Sequence, residues 1–401
     1  MPGMAADAPL ETGLDRALRL LAGESLPDVS PRLVELLRSG RLGLITHPAA
    51  VTAKLTPAPE ELLKAGARVV ALFGPEHGVR GAAPDGEPVA DAVDPVSGLP
   101  EHSLYGRTRR PTPEALAGLD ALVYDLQDVG ARCYTFISTL SLAMEAAAER
   151  HLPLIVLDRP NPLGGAAEGP MLEPAQQSFL GRHPLPLRYG LTAGEFALTA
   201  HRLWGVGEPP EVLPMSAWRR ERLWGDLGRA WVPPSPNQPT AAAALLYPST
   251  VLLEGTNISE GRGTTQPFLQ AGAPWLEGRA LAAALNGEAL PGLRWRPVHF
   301  RPACSKFAGE LCSGVAAHVL KPAAVESVAA GVALLAAIRA QHPEAFQWRR
   351  SGEDFAVDRL AGVSALRLAL DAGESPPAIA ATWKAGCREF LAAATRLEAY
   401  A

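Results

Sequence analysis

The residues of this chain that could do chemistry fall into four short polar blocks and one longer one. Thr46-His47-Pro48, Gly74–Gly81 (GPEHGVRG), Gln127–Arg132 (QDVGAR) and Arg159–Gly165 (RPNPLGG) each follow a short apolar run. Together they supply Glu76, His77, Arg80, Asp128, Arg132 and Asn161, with Glu168 shortly after. A turn needs only residues such as Gly, Pro and Asn. Two carboxylates, a histidine and two arginines call for another explanation. Several carboxyl groups converging on a cleft suit general acid and base work on an acetal. Structural readings compete: Glu76 as a carboxylate at a helix N-terminus, His77 as an orienting or core histidine, Asp128 and Arg132 as an ion pair. Asp125 and Asp158, which close their apolar runs, read as caps of the loops that follow.

The longer block is Glu254–Thr265 (EGTNISEGRGTT), which carries Asn257, Glu260 and Arg262 and follows a strand-like Thr250–Leu253. Pro267-Phe268 and Gly272–Trp275 come next, an apolar wall beside a polar loop. Sugar sites combine hydrogen-bonding side chains with an aromatic platform of this kind, for which Trp275 is the candidate. The competing reading is a solvated surface loop. Glu260 and Arg262 are costly to bury unless paired or ligand-bound, so the block is expected to close over the rim made by the other four. No G-x-G-x-x-G opens a helix after the second apolar run, and G-x-x-x-x-G-K-[ST] is missing throughout, which disfavours nucleotide cofactors. His47, His77 and His102 are scattered, which disfavours a metal. No G-x-S-x-G elbow marks a serine hydrolase.

These blocks need elements to hold them. Leu42–Thr46, Arg68–Phe73, Ala121–Leu126 and Pro153–Asp158 read as strands, with helices over 59–65 and 135–150. Nearly continuous apolar strands alternating with helices imply a doubly wound, mostly parallel sheet covered on both faces. Ligands of such sheets lie outside the carboxyl ends of the strands, where the four short blocks fall. A further helix is expected over 192–204. The Pro-rich stretch Pro233–Asn237 marks the approach to a boundary. Beyond it, helices over 278–286, 323–341 and 376–397 and paired strands over 293–300 and 311–319 read as a smaller α+β domain. The expected division is residues 1–240 and 241–401.

The 401 residues, 47% apolar and 20% charged, are enough to bury a sizeable core and exclude global disorder. The net charge of −5 offers no basic footprint for nucleic acid or for a membrane surface. No apolar run approaches the length of a transmembrane helix. Met1–Leu20 lacks the features of a signal peptide, so the chain reads as cytoplasmic unless its start is truncated. Four dispersed cysteines do not make a disulfide framework; Cys304 and Cys312 flank a hairpin and read mainly as buried thiols.

Eight stretches in order carry a specific resemblance. They are LFGPEHGVRG (72–81), SLYG (103–106), VYDLQDVGARCYTFIST (123–139), LDRPNPLGG (157–165), EGP (168–170), PPSPN (233–237), Tyr247-Pro248 and EGTNISEGRGT (254–264). In these the chain resembles the exo-β-N-acetylmuramidase (NamZ) family. The resemblance implies a Rossmann-like N-terminal domain, a smaller C-terminal domain and a cleft between them. It also implies an exo-acting glycosidase that releases N-acetylmuramic acid from the non-reducing end of peptidoglycan fragments, a disaccharide or muropeptide. On that basis Glu76 is the first candidate for the essential carboxyl group, as acid, oriented by His77. Glu260, Glu168 and Asp128 are candidates for the second, unless the substrate's acetamido group serves instead. Arg262, Arg132 or Arg80 would take the lactyl carboxylate through a bidentate fork, and Asn161, Asn257 and Tyr134 would hold hydroxyls or the acetamido group. Cys133 stands where the family commonly has an aromatic residue. The rival readings are a non-catalytic muropeptide-binding protein and a metal-dependent hydrolase.

Overall fold

The structure, a computed structural model, describes residues 8–84, 86–288 and 290–400. The first seven residues of Met1–Leu20, read above for export features, lie outside them. Two helices, α1 (Gly13–Leu21) and α2 (Pro31–Ser39), precede the first strand. The chain then runs β1 (Arg41–Thr46), α3 (Ala58–Lys64), β2 (Arg68–Gly74), β3 (Ala92–Val93), β4 (Pro100–Ser103), β5 (Ala121–Asp125), α4 (Phe136–Ala148) and β6 (Leu154–Leu157). A small antiparallel pair, β7 (Glu168–Met171) with β8 (Pro186–Arg188), is followed by α5 (Ala193–Trp204) and β9 (Glu211–Leu213).

Seven strands form one sheet in the order β3-β4-β2-β1-β5-β6-β9, parallel except at the edge strand β3. Alternate residues of each strand face opposite sides. Leu42, Leu44, Leu72, Val123 and Ile155 pack with leucines of α1 to α3 on one face. Ile45, Phe73, Tyr124 and Val156 pack with Phe136 and Leu140 of α4 and Phe196 of α5 on the other. Burial on both faces is why these strands read as unbroken apolar runs. The strand order reverses between β1 and β5, so the loops leaving those two strands diverge and open a crevice at their carboxyl ends.

The C-terminal part has a three-stranded antiparallel sheet, β10 (Gln270–Ala273), β11 (Leu293–Phe300) and β12 (Cys312–Val319), in the order β10-β12-β11. It packs with α6 (Ala241–Thr250), α7 (Gly278–Gly287) and α8 (Ser327–Gln341), and four short helices close the chain: α9 (Ala356–Ala361), α10 (Ala365–Asp371), α11 (Pro376–Thr382) and α12 (Lys384–Ala393). The fold is therefore a Rossmann-like, doubly wound and mostly parallel domain with a smaller α+β domain.

Several local expectations are corrected. Thr250–Leu253 is not a strand: α6, capped by Thr240, runs into it and ends in a 3-10 turn over Val251–Gly255. A short buried apolar run has no periodicity to distinguish strand from helix. The helix expected over 323–341 begins at Ser327, after a 3-10 turn at 322–324. The one expected over 376–397 is two helices that meet at the buried Trp383. Cys304 and Cys312 are both free thiols, and Cys304 is exposed. Among the described residues, no helix is long and apolar enough to cross a membrane.

Candidate active site

Glu76 stands just past the end of β2, in a tight turn that His77 (φ 75°) and Gly78 (φ 77°) continue in the left-handed region. A non-glycine residue there is strained by about 1 kcal/mol or more, and such strain clusters at functional sites. The turn holds because the buried His77 ring places Nδ1 2.9 Å from the Ala83 carbonyl, and because Glu101 Oε1 accepts from Val79 N–H at 3.0 Å. The Glu76 carboxylate, half-buried, accepts from the Thr135 hydroxyl at 2.9 Å and from Gly86 N–H at 3.1 Å. Thr135 is the residue before α4, so Glu76 ties the β2 loop to the start of that helix.

The loops after β1 and β5 meet at His47. Its Nε2 accepts from Gln127 N–H at 2.8 Å, which leaves Nδ1 as the protonated nitrogen, facing the Pro234 carbonyl. Complete burial, with Arg159 nearby, pushes this imidazole down to about 3, so it is a neutral strut. It also brings the Pro233–Asn237 stretch to the rim. Asp128 lies beside it, 6% exposed. Its Oδ1 accepts from the Tyr189 hydroxyl at 2.5 Å and Gly130 N–H at 2.7 Å, while Oδ2 is buried with no hydrogen-bond partner. Burial pushes the Asp128 carboxyl up to about 7, against the opposing pull of the Tyr189 bond. Through these bonds Asp128 holds the start of the 127–132 loop against Tyr189.

That burial has a consequence for stability. An unfolded aspartate ionises near about pH 4, whereas this one keeps its proton to about 7. The stabilising proton is fully present below the lower value and is lost as pH rises through the upper one. Asp128→Asn carries no charge at any pH. Relative to the native chain it should gain about 2–4 kcal/mol between pH 4 and pH 8. Urea unfolding at the two pH values measures this, and an unchanged difference refutes it.

The 254–265 block is buried over most of Gly255–Gly261, while Glu254 and Arg262 are half-buried and Thr265 is exposed. Glu260, whose side chain is 2% exposed, is gripped by Lys306 Nζ at 2.9 Å and Arg262 Nε at 3.3 Å. Lys306 also donates to the Leu253 and Ile258 carbonyls, both at 2.7 Å. Arg262 reaches Glu254 at 2.8 Å and lies 5.0 Å over the Phe268 ring. Phe268 packs edge-on to Tyr247 (4.8 Å), and Tyr247 edge-on to Tyr134 (5.9 Å). This aromatic wall joins the C-terminal block to the start of α4, one residue from Thr135. Burial raises the Glu254 carboxyl above its ordinary range, against the opposing Arg262 charge and helped by Glu260. Glu254 also lies within electrostatic reach of Tyr247 and the Cys133 thiol on that wall.

Several expected site residues are employed elsewhere. Glu168 does not join the rim: it accepts from Ala329 N–H at 2.8 Å in the first turn of α8 and faces Arg188 at 3.9 Å. Arg80 closes its fork on Asp94 (2.7 Å) and adds Glu60 (2.8 Å). Among the described residues Arg132 pairs with no carboxylate: fully buried, it donates to three backbone carbonyls, those of Pro170, Leu185 and Leu360. Asn161 bonds Leu163 N–H and the Leu191 carbonyl, and Asn257 bridges Gln347 N–H and the Ala345 carbonyl. Trp275 packs edge-on to His342, and the aromatic wall is Tyr134, Tyr247 and Phe268 instead. Asp125 does not cap its own loop but takes a bidentate bond from Arg159, whereas Asp158 caps the start of α5 through the Thr192 hydroxyl and Gly194 N–H. Sequence reasoning missed the positions of Glu254, Lys306 and Tyr247. Their signal was weak: a second glutamate six residues before Glu260, and a single lysine in a lysine-poor chain.

Against this geometry, two family models account for nearly the whole chain. The N-terminal model of exo-beta-N-acetylmuramidase NamZ matches residues 42–242, and the C-terminal model matches 245–400. Peptidoglycan beta-N-acetylmuramidase NamZ of Bacillus subtilis (strain 168) is 41% identical over 383 residues, 95% of this chain and 89% of that protein. Two solved structures of DUF1343 family proteins from Bacteroides fragilis NCTC 9343 share the fold. One has a TM-score of 0.84 at 33% identity, covering 98% of this chain and 99% of its own. The other has a TM-score of 0.73 at 26% identity, covering 96% and 97%. The chain belongs to the exo-β-N-acetylmuramidase NamZ family.

Proposed function

We propose that this chain is a glycosidase that releases the terminal, non-reducing N-acetylmuramic acid from peptidoglycan fragments. The observation that carries the mechanism is the run of contacts linking two carboxyl groups: Glu76 to Thr135, next to Tyr134, then Tyr247 and Phe268, over which lies the Arg262 that holds Glu254. Glu76 is fixed in place by two hydrogen bonds, from the Thr135 hydroxyl and Gly86 N–H. Glu254 is held above its ordinary range by burial. A carboxyl group held above its ordinary range suits the role of acid. Glu254 donates its proton to the glycosidic oxygen as the C–O bond breaks, and the Glu76 carboxylate faces the positive charge that grows on the sugar ring; water then adds to the anomeric carbon and gives up a proton, which restores Glu254 to its acid form. This reverses the role expected for Glu76 from the sequence. Glu260, Glu168 and Asp128 hold the scaffold.

The reading assigns residues 1–240 to the catalytic rim and 241–401 to the domain that brings Glu254 to it. The substrate is a small disaccharide or muropeptide, and the place of action is the cytoplasm, on imported fragments. The direct test is incubation with the muramic–glucosamine disaccharide, with the products identified by mass. Intact disaccharide at micromolar enzyme overturns the reading. Glu254→Gln separates the roles. It should slow the disaccharide at least about 100-fold, yet slow an aryl glycoside with a good leaving group far less, because that bond needs little protonation. Equal losses on both substrates would remove Glu254 as the acid.

A further inference from the structure

The Arg80, Arg132 and Arg262 guanidiniums are engaged by the protein itself. A muramic sugar brings a carboxylate, and another cation stands on the same rim. Strand β4 is parallel to β2, so the loop Leu104–Arg110 leaves the sheet at the end where Glu76 lies. Leu104 N–H donates to the Gly74 carbonyl at 2.8 Å, fixing this loop to the β2 loop. Val89 N–H donates to the Tyr105 carbonyl at 2.7 Å, on the same strap whose Gly86 N–H holds Glu76.

Arg109 is exposed, and its guanidinium lies 4.2 Å over the ring of Phe179 and 5.1 Å over that of Tyr105. Phe179 comes from a segment anchored on α4, where Arg182 pairs with Glu145 at 2.7 Å and His183 meets Ser141 at 2.6 Å. The contacts close a circuit from Glu76 through Thr135 and α4 to Phe179 and Arg109, and back through Tyr105 and the 86–89 strap. Neighbouring Arg80, Arg110 and Arg182 each hold a carboxylate. Arg109 has none among the described residues. Rings that cover the face of a guanidinium hold its plane while leaving its N–H edge open, the geometry in which it takes a carboxylate bidentately.

We propose that Arg109, held by Tyr105 and Phe179, is the specificity residue that binds the lactyl carboxylate of the muramic sugar. The proposal rests on the glycosidase reading for the identity of the ligand. Its test does not depend on turnover. N-acetylmuramic acid and its lactyl amide are titrated calorimetrically into the native chain, Arg109→Ala and Arg109→Lys. The native chain should prefer the acid by about 10–100-fold, Arg109→Ala should lose that preference, and Arg109→Lys should keep part of it. Preference for the acid undiminished in Arg109→Ala, or no preference in the native chain, overturns the proposal. Unfolding midpoints of the variants, expected unchanged for so exposed a side chain, separate a lost clamp from a lost fold; if Arg109→Ala does not fold, Arg109→Lys decides alone. Where hydrolysis is measured, Arg109→Ala should raise KM for the acid far more than it changes kcat. Acid binding that depends on Arg109 without disaccharide cleavage would uphold the clamp and reject the glycosidase.

Discussion

Replacing Glu76 by Gln is expected to lower kcat by about 1,000-fold, on the disaccharide and on activated aryl glycosides alike. The substitution is nearly isosteric and keeps an oxygen to accept from the Thr135 hydroxyl or Gly86 N–H, so the turn need not move. What disappears is the negative charge. An oxocarbenium-like transition state needs that charge whatever the leaving group, whereas a proton donor matters less as the leaving group improves. The two glutamates thus have different signatures, and kinetics with two substrates tell them apart. Unchanged unfolding midpoints would confirm that the loss is chemical. Activity within about tenfold of the native chain would exclude Glu76 from the reaction. The left-handed His77 is part of the same argument: a strained residue beside Glu76 persists only because its surroundings hold it, which keeps the carboxylate in place.

How far the sequence foretold this site depends on where each residue finds its partners. The strands β1, β2, β5 and β6 were legible because both their faces are buried, which leaves an apolar run in the sequence. Parallel order then put Glu76, His47 and Asp128 at one end of the sheet. The roles of the arginines were not legible. A guanidinium suits a carboxylate, yet the acceptors of Arg132 are carbonyls that lie up to 228 residues away along the chain. Those of Arg80 lie in α3 and the loop after β3. Glu168 sits next to a rim loop in sequence, but the α8 N-terminus, far along the chain, claims it. Glu254 depends on the docking of α6 and its 3-10 turn, an element that read as a strand. Arg109 is identified by one ring four residues before it and by another, Phe179, 70 residues away, and the second relation no local spacing displays.

Arg132 gives the largest expected effect on stability. Arg132→Met should destabilise the fold by about 3–5 kcal/mol, measured by urea unfolding under far-UV circular dichroism. Two effects oppose each other. Burying a cation with no carboxylate partner is unfavourable, and that desolvation pushes the guanidinium down to about 10. Methionine, similar in length and apolar, relieves it. Where both partners of a buried ion pair can be exchanged for apolar groups, that relief can win. Here the partners are the backbone carbonyls of Pro170, Leu185 and Leu360, at 3.0, 2.7 and 3.0 Å, and no substitution at position 132 removes them. Each buried acceptor left without a donor costs about 1–3 kcal/mol, so three outweigh one relieved cation. Water cannot readily take the place of the guanidinium, because the site is closed: a Cβ on Gly362 would lie 2.4 Å from its Nη2 atom. Leu360 belongs to α9, whereas Pro170 lies in β7 and Leu185 just before β8. Their common donor therefore ties α9 to the β7–β8 pair. Arg132→Lys, with a single ammonium for three carbonyls, should fall between the two. A loss below about 1 kcal/mol for Arg132→Met would show that the relieved cation prevails over the three unpaired carbonyls.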